Sequence, residues 1–510
     1  MKFLLVILSI FLISCSDKQK NELSAEFIIA GIAILTNSNH VSVMQAEQEI
    51  SLETERFGPY LVAKLKWQPN LIYQIRDGSR IIEVQSPLSP SPLKVTEIIL
   101  DDLKQNPEGN FPDADVALST DNSLVAVGTF YGFIQVFSLT ENKLLWKKKI
   151  AEGMVKKCLF SADSKQLYVG EQSIESNIYA FNAVNGELIW QKNLSDDIGS
   201  APPAKGDNPY FMYSYPGIFH MQLDRQDLIV TAVHSWRLDG KSMKKSKLYS
   251  FKPNGQINWQ FPQKDALNAN IKYFDISDSY LVFNIDGFDS REINGAVKEN
   301  SMNLIDLRTG ALLDSKSVPV FSPHFNSIFF WQNVSITKDE SYAAMAALDG
   351  RIFMFPIKNR TFENPVVRSP DEAIKVNDIP LSAGIPYTET VSNRLLISLT
   401  ETSIPYTYSS VNKVYEPPAL HPMSGHLQAF NKSGELIWDY YDRSIYSAVS
   451  ASTDSKWLMA VVDDKKINRQ IGYFGFTLFE ADSSDFLRKV YRYQTASPVF
   501  FRGAISGNGL

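Results

Sequence analysis

A short repeated unit constrains this chain more than any other feature of its sequence. In residues 166–194, two β-rich runs are followed by a turn at Gly186 and by a third run that contains Trp190. Alternation of apolar and polar residues is typical of half-buried strands, and a glycine in a turn can take a positive φ. The unit therefore predicts a three-stranded antiparallel meander. A meander this short cannot bury its own apolar faces, so it needs copies of itself packed beside it.

Copies of the unit occur along the chain with the same spacing between turn and tryptophan. The turn residue and the tryptophan of each copy are Asn142 and Trp146, Gly186 and Trp190, Gly255 and Trp259, and Gly434 and Trp438. Asparagine at the first of these turns also tolerates a left-handed backbone. A weaker copy keeps Gly310 but has Asp314 at the tryptophan position. The repeats favour one array of stacked units over several unrelated domains.

These units resemble the blades of quinoprotein-like β-propellers, the family named after pyrroloquinoline quinone (PQQ), which has a tryptophan docking position in its blade repeat. The resemblance implies an all-β fold, a single propeller of four-stranded antiparallel blades. Strand-type runs fall into nine candidate units: 27–53, 60–99, 112–150, 154–194, 197–261, 269–316, 326–368, 376–440 and 445–493. Eight blades are common in this family, so we expect eight, within a range of seven to nine.

The two ends of the chain are predicted to complete each other. The N-terminal unit, 27–53, has runs for three strands and lacks the inner strand of a blade. The C-terminal segment 498–506 has the pattern of a first strand and turn whose partner strands are missing. We therefore predict that 498–506 joins the N-terminal blade as its inner strand. Such a closure would remove exposed strand edges.

The first residues predict export and attachment to lipid. Lys2 and the apolar run 3–13 are typical of a signal peptide, because the run is too short for a permanent membrane span. The sequence that ends in Ser14 and Cys15 resembles the bacterial lipobox, in which cleavage before the cysteine frees it for acylation. A plain secretory signal with a chance cysteine is the alternative.

The lipobox resemblance sets the expected domain boundaries and location. The chain divides into a signal peptide (1–14), a tether lipidated at Cys15 (15–26) and a propeller (27–510). By the sorting rule that the resemblance implies, Ser16 favours the outer membrane. We expect a protein of the bacterial cell envelope that is anchored by lipid, either facing the periplasm or exposed at the surface.

Composition and charge restrict the class of protein and of partner. Of the 510 residues, 44% are hydrophobic and 21% are charged, as in an ordinary globular protein. The formal net charge of −6 argues against a nucleic-acid partner, whose phosphates need a basic surface. After acylation of Cys15, Cys158 would be the one cysteine left, so no internal disulfide is expected. Cys158 lies in an apolar run and is predicted to be buried.

Extra length is concentrated in three predicted insertions, near 202–222, 287–300 and 403–424. Connections this long in a compact fold are usually functional or disordered. The first insertion holds five aromatic residues that we regard as candidate contacts with a partner: Tyr210, Phe211, Tyr213, Tyr215 and Phe219. Exposed aromatic patches often mark a contact surface. The alternative is that this segment folds back and packs against the propeller.

Motifs for catalysis or for binding metals are not found in the sequence. The 6 histidines form neither an HExxH motif nor a cluster with cysteines, and no nucleophile elbow, phosphate loop or dinucleotide motif is present. The resemblance extends to PQQ dehydrogenases, which bind PQQ with Ca²⁺ and usually contain adjacent cysteines, a pair that this chain lacks. We predict no catalytic residue, no metal site and no cofactor.

The function that these observations favour is binding. The resemblance includes lipoprotein propellers of the outer-membrane β-barrel assembly machinery, which combine a lipobox with this blade pattern. We expect a lipid-anchored envelope scaffold or assembly factor that binds another envelope protein. The alternatives are an exported quinoprotein-type oxidoreductase, which would use PQQ and Ca²⁺, and a propeller that binds a small ligand.

Overall fold

The fold consists almost entirely of antiparallel strands. The computed structural model describes residues 23–86, 115–202, 214–285, 300–318, 333–399, 423–462, 474–481, 488–495 and 504–505, with gaps at 29–30, 37, 39, 47, 58–59, 66–67, 69–70, 239–240, 348–349, 370–373, 377–378, 382, 386, 392, 442–445 and 453. The one described helix, α1 (Ser195–Ile198), is a single turn.

The first eight strands form a module of two sheets. Their bounds are β1 (Ser24–Ile28), β2 (Gly31–Leu35), β3 (Ser42–Gln45), β4 (Gln48–Ile50), β5 (Glu53–Phe57), β6 (Tyr60–Lys64), β7 (Ile72–Asp77) and β8 (Arg80–Gln85). One sheet has the order β1-β2-β6-β5 and the other β4-β3-β7-β8, so the chain alternates between them hairpin by hairpin. Ile34 and Ala63 of the first sheet share a core with Val43 and Tyr73 of the second.

This pairing corrects the expected N-terminal blades. The strands of 27–53 do not form one unit, because β1 pairs with β2 and β2 with β6, while β3 pairs with β4 and β7. Each hairpin has one apolar face, and burial of that face decides which hairpin becomes its neighbour. A buried polar contact also crosses between the sheets, where Thr36 Oγ1 donates to Asp77 Oδ2 at 2.6 Å.

Seven blades of antiparallel strands follow between residues 115 and 495 of the described chain, and we number them blades 1 to 7; the Gln172–Gly217 pair joins blades 2 and 3 into one sheet. Blades 1 to 3 contain β9 (Asp115–Leu118), β10 (Leu124–Gly128), β11 (Phe133–Ser138) and β12 (Lys143–Lys149); β13 (Met154–Phe160), β14 (Gln166–Gln172), β15 (Asn177–Asn182) and β16 (Leu188–Asn193); and β17 (Gly217–Asp224), β18 (Asp227–Leu238), β19 (Lys241–Phe251) and β20 (Ile257–Phe261).

Blades 4 and 5 contain β21 (Phe274–Ile276), β22 (Tyr280–Ile285), β23 (Asn300–Asp306) and β24 (Leu312–Val318); then β25 (Val334–Ile336), β26 (Tyr342–Ala346) and β27 (Ile352–Lys358), with the fourth position shared by β28 (Thr361–Phe362) and β29 (Val366–Arg368). A small hairpin, β30 (Ile374–Val376) and β31 (Ile379–Leu381), follows. Blades 6 and 7 contain β32 (Tyr387–Val391), β33 (Arg394–Ser398), β34 (His426–Phe430) and β35 (Leu436–Tyr441); and β36 (Tyr446–Ala451), β37 (Trp457–Val462), β38 (Phe474–Glu480) and β39 (Arg488–Thr495).

The blades are arranged around a common centre. Their first strands lie side by side in chain order, β9, β13, β17, β21, β25, β32 and β36. Apolar clusters extend from blade to blade; Ala126 of blade 1 shares one with Val155 of blade 2, and Met302 of blade 4 shares another with Phe353 of blade 5. Inner strands in a ring with sheets stacked face to face define a propeller. The all-β propeller fold expected from the sequence is confirmed, and blades 1 to 7 coincide with the candidate units from 112 onward, extending past their ends by at most two residues.

The predicted ring closure falls largely outside the described residues, which omit 496–503 and 506–510. Ile505 is described and packs against Met459 and Val461 of blade 7. The total number of blades and the strand 498–506 stay predictions.

The recurring turn between the first two strands has a local cause. In blade 1, Ser119 Oγ donates to Asp121 Oδ1 at 2.7 Å, and Asn122 takes a left-handed φ of 59°. Blade 2 repeats the contact between Ser161 and Asp163 at 2.7 Å. The donated hydrogen bonds lower the pKa of both aspartates below the usual value. These turns are therefore self-contained structures that the local sequence encodes.

Candidate functional site

The two ends of the blades differ in the length of their connections. Because successive strands are antiparallel, the first-to-second and third-to-fourth connections lie at one end, and the second-to-third and blade-to-blade connections lie at the other. At the first end the described connections are short turns, for example 119–123, 161–165, 252–256 and 431–435. We call this end the turn face.

The long connections lie at the opposite end, which we call the insertion face. They are 194–216, 262–273, 286–299, 319–333, 369–386, 399–425 and 463–473. The three predicted insertions belong to this set, although 203–213, 286–299 and 400–422 lie outside the described residues. The first has a corrected boundary, because β17 begins at Gly217 and pairs with β18 from that residue onward. The insertion face is the candidate site, since variable connections on a rigid frame are where binding residues concentrate.

A long hairpin of blade 3 projects at the insertion face. Strands β18 and β19 pair residue by residue from Leu228 with Phe251 to Leu238 with Lys241. Their flanking strands stop earlier, since β17 reaches Val233 of β18 and β20 reaches Leu248 of β19. The last five pairs therefore extend past the four-stranded sheet by about 17 Å, at about 3.3 Å per residue.

The base of this hairpin is fixed by buried polar contacts. Lys247, 2% exposed in its side chain, donates from Nζ to Asp197 Oδ1 at 2.7 Å and to the Lys264 carbonyl at 2.6 Å. Tyr249 donates its hydroxyl to Asp197 Oδ2 at 2.6 Å. Asp197 belongs to α1 and Lys264 to the connection 262–273. The hairpin thus ties two connections of the insertion face to one rigid base.

A histidine and a serine brace the hairpin just above that base. His234 Nδ1 lies 3.0 Å from the Ile198 carbonyl oxygen, so this nitrogen carries the proton that is donated. Burial lowers the pKa of His234, which keeps the ring neutral. Its ring stacks on Trp236 with centroids 4.2 Å apart. On the other side, Ser235 Oγ donates to Asn270 Oδ1 at 2.9 Å.

The five aromatic candidates of the first insertion separate into two groups. Tyr210, Phe211 and Tyr213 lie outside the described residues and stay predictions. Tyr215 is 3% exposed and Phe219 is half-buried in β17, with Lys156 Nζ 5.2 Å from its ring centroid. For Tyr215 the structure favours the packing alternative, because a side chain this buried offers little area to a partner.

The predicted docking tryptophans sit between neighbouring blades. Trp146 Nε1 donates to the Ala183 carbonyl at 2.9 Å, and the Cα of Gly186 faces the indole ring so closely that a Cβ would come within 2.7 Å of it. Trp190 and Gly255 repeat this contact, and Trp259 does so with Gly310. Gly434 instead faces Met354 and Val366, and Trp438 packs edge-on against Phe479 of blade 7 with centroids 5.6 Å apart.

Three carboxylates of the inner strands have no counterpart in the sequence analysis. Asp115 Oδ2 of blade 1 accepts from the Cys158 backbone N–H at 2.9 Å, and the other two are Asp275 and Glu389. Asp275 Oδ2 accepts from the Ile336 backbone N–H at 2.8 Å, and its Oδ1 accepts from Gln222 Nε2 at 3.1 Å. Glu389 accepts from the Thr390 N–H at 3.1 Å. Burial raises the pKa of Asp275 and of Glu389, and the nearby Asp275 charge helps to raise that of Glu389 to about 8. In the sequence, the signal that could have indicated these sites is a single acidic residue within a short strand-type run.

The described residues do not provide the ligand set that Ca²⁺ would need. They contain no group of three or more His, Cys, Asp or Glu side chains placed to hold a metal ion. The oxygens of Asp275 and Glu389 accept hydrogen bonds from the chain itself. The expectation that the protein binds no cofactor stays a prediction. Cys158 is a buried thiol, as expected, and Cys15 lies outside the described residues.

Comparisons with known proteins find similar structures but no relative by sequence. No family model matches the chain, and no curated protein matches it. The Dos1 propeller is similar over 68% of this chain and 75% of its own, at 12% identity and a TM-score of 0.44. The dihydro-haem d1 dehydrogenase NirN in complex with DHE is similar over 84% and 72%, at 13% identity and a TM-score of 0.43.

A third similar structure is BamB from Moraxella catarrhalis, over 82% of this chain and 96% of that chain, at 10% identity and a TM-score of 0.38. Among the described residues, no helix has the length and apolar character of a membrane span. The order of the strands and the side-by-side packing of the first strands of blades 1 to 7 identify the protein as a β-propeller.

Proposed function

We propose that the protein is a scaffold of the bacterial envelope, anchored by lipid at Cys15, that binds another envelope protein through its insertion face. The observation that carries this proposal is the unequal length of the connections at the two ends of the blades. A propeller that needed closure alone would have short turns at both ends. Length added at one end only is expected where that end carries the function.

The base of the insertion face has the rigidity that a recognition surface requires. The Lys247–Asp197–Tyr249 cluster joins α1 to β19, and Ser246 Oγ donates to the Ala269 carbonyl at 2.6 Å. A partner that meets a surface already ordered loses less conformational entropy on binding. The described part of 194–216 and of 262–273 thus forms a preorganised platform.

Site-specific photo-crosslinking tests this function in cells. A photoreactive residue at Asp196 or at Asp265, both exposed on the insertion face, is expected to give a covalent adduct with one envelope protein. The matched controls are Lys165 and Lys252, which are exposed on the turn face. An adduct of the same mass from the turn-face positions, or none from Asp196 and Asp265, would contradict the proposal.

The anchor is tested independently. Cys15→Ala removes the acylation site and should shift the protein from the membrane to the soluble fraction, since stable anchoring needs more than one acyl chain on the cysteine. Mass spectrometry of the purified wild type should show an acylated N-terminal Cys15. A Cys15→Ala protein that stays in the membrane pellet would show that another element anchors the chain.

A further inference from the structure

The outer edge of blade 2 is an exposed strand. Its fourth strand, β16, pairs with β15 and is the last strand of the sheet on that side. Five of its six residues are exposed, including Leu188 at 52% and Ile189 at 47%. The outer backbone groups of an edge strand can pair with a second strand, and many proteins block such pairing with lysine side chains or proline. The residues of β16 therefore decide whether a second strand can bind there.

A bulge determines how two copies of β16 can pair. Within the blade, Trp190 lies opposite Ala180. One extra residue follows toward the turn, so Glu187 lies opposite Asn182. Side chains two positions apart along a strand point to one face, and the extra residue of the bulge brings Glu187 onto the face of Trp190 and Lys192. In an antiparallel pair with a two-fold axis at Trp190, Lys192 of one copy therefore lies directly opposite Glu187 of the other.

The two charged side chains are available for this contact. Lys192 is exposed, and none of the ion pairs of the described residues includes it or Glu187. The Glu187 carboxylate is also exposed and accepts one hydrogen bond, from Asn185 Nδ2 at 3.1 Å. Opposite charges directly across an antiparallel pair stabilise it. A two-fold dimer contains this contact twice, so the edge of β16 is complementary to a second copy of itself.

The same register does not give this match in the other fourth strands that carry the bulge in blades 1, 3, 4 and 6. In β12 it places Lys148 opposite Lys143, and in β24 Asp314 faces its own copy. Like charges directly opposite each other destabilise a pair of strands. In β20 and β35 each pair contains at most one charged residue. Charge complementarity therefore distinguishes the edge of blade 2 from these four.

We propose that two copies of this chain associate through β16, with the two strands antiparallel and Glu187 of each copy paired with Lys192 of the other. The edge of one strand is small compared with the about 800 Å² per partner that a stable interface buries, so the dimer is weak and forms at high protein concentration. The association is independent of the proposed acylation and of a protein partner at the insertion face.

Sedimentation equilibrium of the unlipidated chain, residues 16–510, tests the proposal over a series of concentrations. The wild type is expected to show a reversible equilibrium between monomer and dimer. Lys192→Glu places two glutamates opposite each other at both contacts and should raise the dissociation constant about tenfold. The exchange of both charges, Glu187→Lys with Lys192→Glu, restores opposite charges across the axis and should return the dissociation constant to near the wild-type value.

The matched control is Lys165→Glu, which changes the net charge as Lys192→Glu does but lies on the turn face of the same blade, with a side chain 81% exposed. It should leave the dissociation constant unchanged, and the melting temperatures of all variants should agree. A wild type that is monomeric at every concentration would overturn the proposal. So would a double variant that dimerises as weakly as Lys192→Glu, because the two charges would then not face each other. Neither result would affect the cross-links expected from Asp196 and Asp265.

Discussion

Two kinds of contact join the outer parts of neighbouring blades, and they divide the propeller into regions. Between blades 1 and 2, 2 and 3, and 3 and 4, a tryptophan of one blade lies against the turn glycine of the next and donates its indole N–H to a carbonyl there; the distances are 2.9 Å for Trp146, 2.9 Å for Trp190 and 2.8 Å for Trp259. Each contact buries a large apolar ring and satisfies its single donor.

Among the described residues, no tryptophan lies between blade 5 and either of its neighbours. On the side of blade 4, Asp314 takes the tryptophan position, and its Oδ2 accepts from the Phe362 N–H at 2.8 Å. On the side of blade 6, Gly434 faces Met354 and Val366, and Arg368 donates from Nη1 to the Gly434 carbonyl at 3.2 Å. A carboxylate buries much less apolar area than an indole, so these contacts contribute less to stability.

Blade 5 is compensated at its inner strand. Ile336 donates its N–H to Asp275 of blade 4, and its carbonyl accepts from Thr390 Oγ1 of blade 6 at 3.0 Å. Hydrogen bonds between inner strands also join tryptophan-docked blades, since Asp115 Oδ2 of blade 1 accepts from the Cys158 N–H of blade 2 at 2.9 Å. In the described residues, blade 5 has such inner contacts on both sides but no docked tryptophan. The comparison teaches that one repeated fold can be closed by two different devices, and that substitutions at equivalent positions should have unequal effects.

The largest expected effect is the loss of a docking tryptophan. Trp259 is 6% exposed, so Trp259→Ala leaves a cavity between blades 3 and 4 and should cost about 3–5 kcal/mol of unfolding free energy. The control is Ile257→Ala in the same strand, where the side chain is 39% exposed and the loss of unfolding free energy should be about 0.5 kcal/mol. Urea denaturation of both variants measures the difference, and equal midpoints would show that this tryptophan is not a structural anchor.

A second comparison uses the turn glycines. At Gly255 an added Cβ would lie 2.8 Å from the Trp190 ring, while at Gly434 it would meet the flexible end of Met354 at 3.0 Å. Both residues have positive φ, 82° and 80°, so backbone strain of about 1 kcal/mol is common to the two substitutions.

Gly255→Ala should therefore cost about 2–3 kcal/mol and Gly434→Ala about 1 kcal/mol, because overpacking against a rigid ring is added only at Gly255. Thermal unfolding of the two variants in parallel measures this difference. If Gly434→Ala proved the more damaging, the assignment of rigid and adaptable contacts would be reversed.

A smaller effect is expected at the carboxylate that replaces a tryptophan. Asp314→Ala leaves the Phe362 N–H without its acceptor and should cost about 1 kcal/mol, since the site is partly open to water. Asp314→Asn keeps an oxygen acceptor and should cost less. If chemical denaturation shows that Asp314→Asn is less stable than Asp314→Ala, then Asp314 does not stabilise the fold through this hydrogen bond.

The positions of blades 1 to 7 could be predicted from the sequence because their signals are local. The turn at Gly186, the spacing to Trp190 and the Ser119–Asp121 turn each specify structure within a few residues. The pairing of the N-terminal hairpins could not be predicted, because β2 meets β6 across an intervening hairpin of the other sheet. Alternation shows which face of a strand is buried and leaves open which strand covers it.

The candidate site could be predicted in part for the same reason. Excess length located three of the insertions, and their common face follows once the order of strands in a blade is known. The burial of Tyr215 could not be predicted, because an aromatic-rich segment has the same composition whether it faces a partner or its own propeller. The bonds of Asp275 and Glu389 come from other blades, so no local pattern predicts them.

The last expected effect depends on pH and concerns the inner strands that hold blade 5 between its neighbours. Burial and the Asp275 charge raise the pKa of Glu389 from 4.5 to about 8 in the folded state. Asp275, the Thr390 and Ala451 N–H groups and Lys338 are the groups that act on this carboxyl. A carboxyl whose pKa is raised on folding stabilises the fold most below its unfolded pKa, and that stability is lost as the pH rises through 8.

Glu389→Gln should therefore match the wild type in melting temperature most closely near pH 5, should become increasingly more stable than the wild type as the pH rises toward 8, and should keep a constant advantage above that pH. Glu363→Gln, at a carboxylate 52% exposed in blade 5, is the control and should leave the pH profile unchanged. Melting curves from pH 5 to pH 9 compare the variants. A Glu389→Gln profile parallel to that of the wild type would mean that this carboxyl is ionised in the fold, so that the inner strand of blade 5 is held by a charged contact.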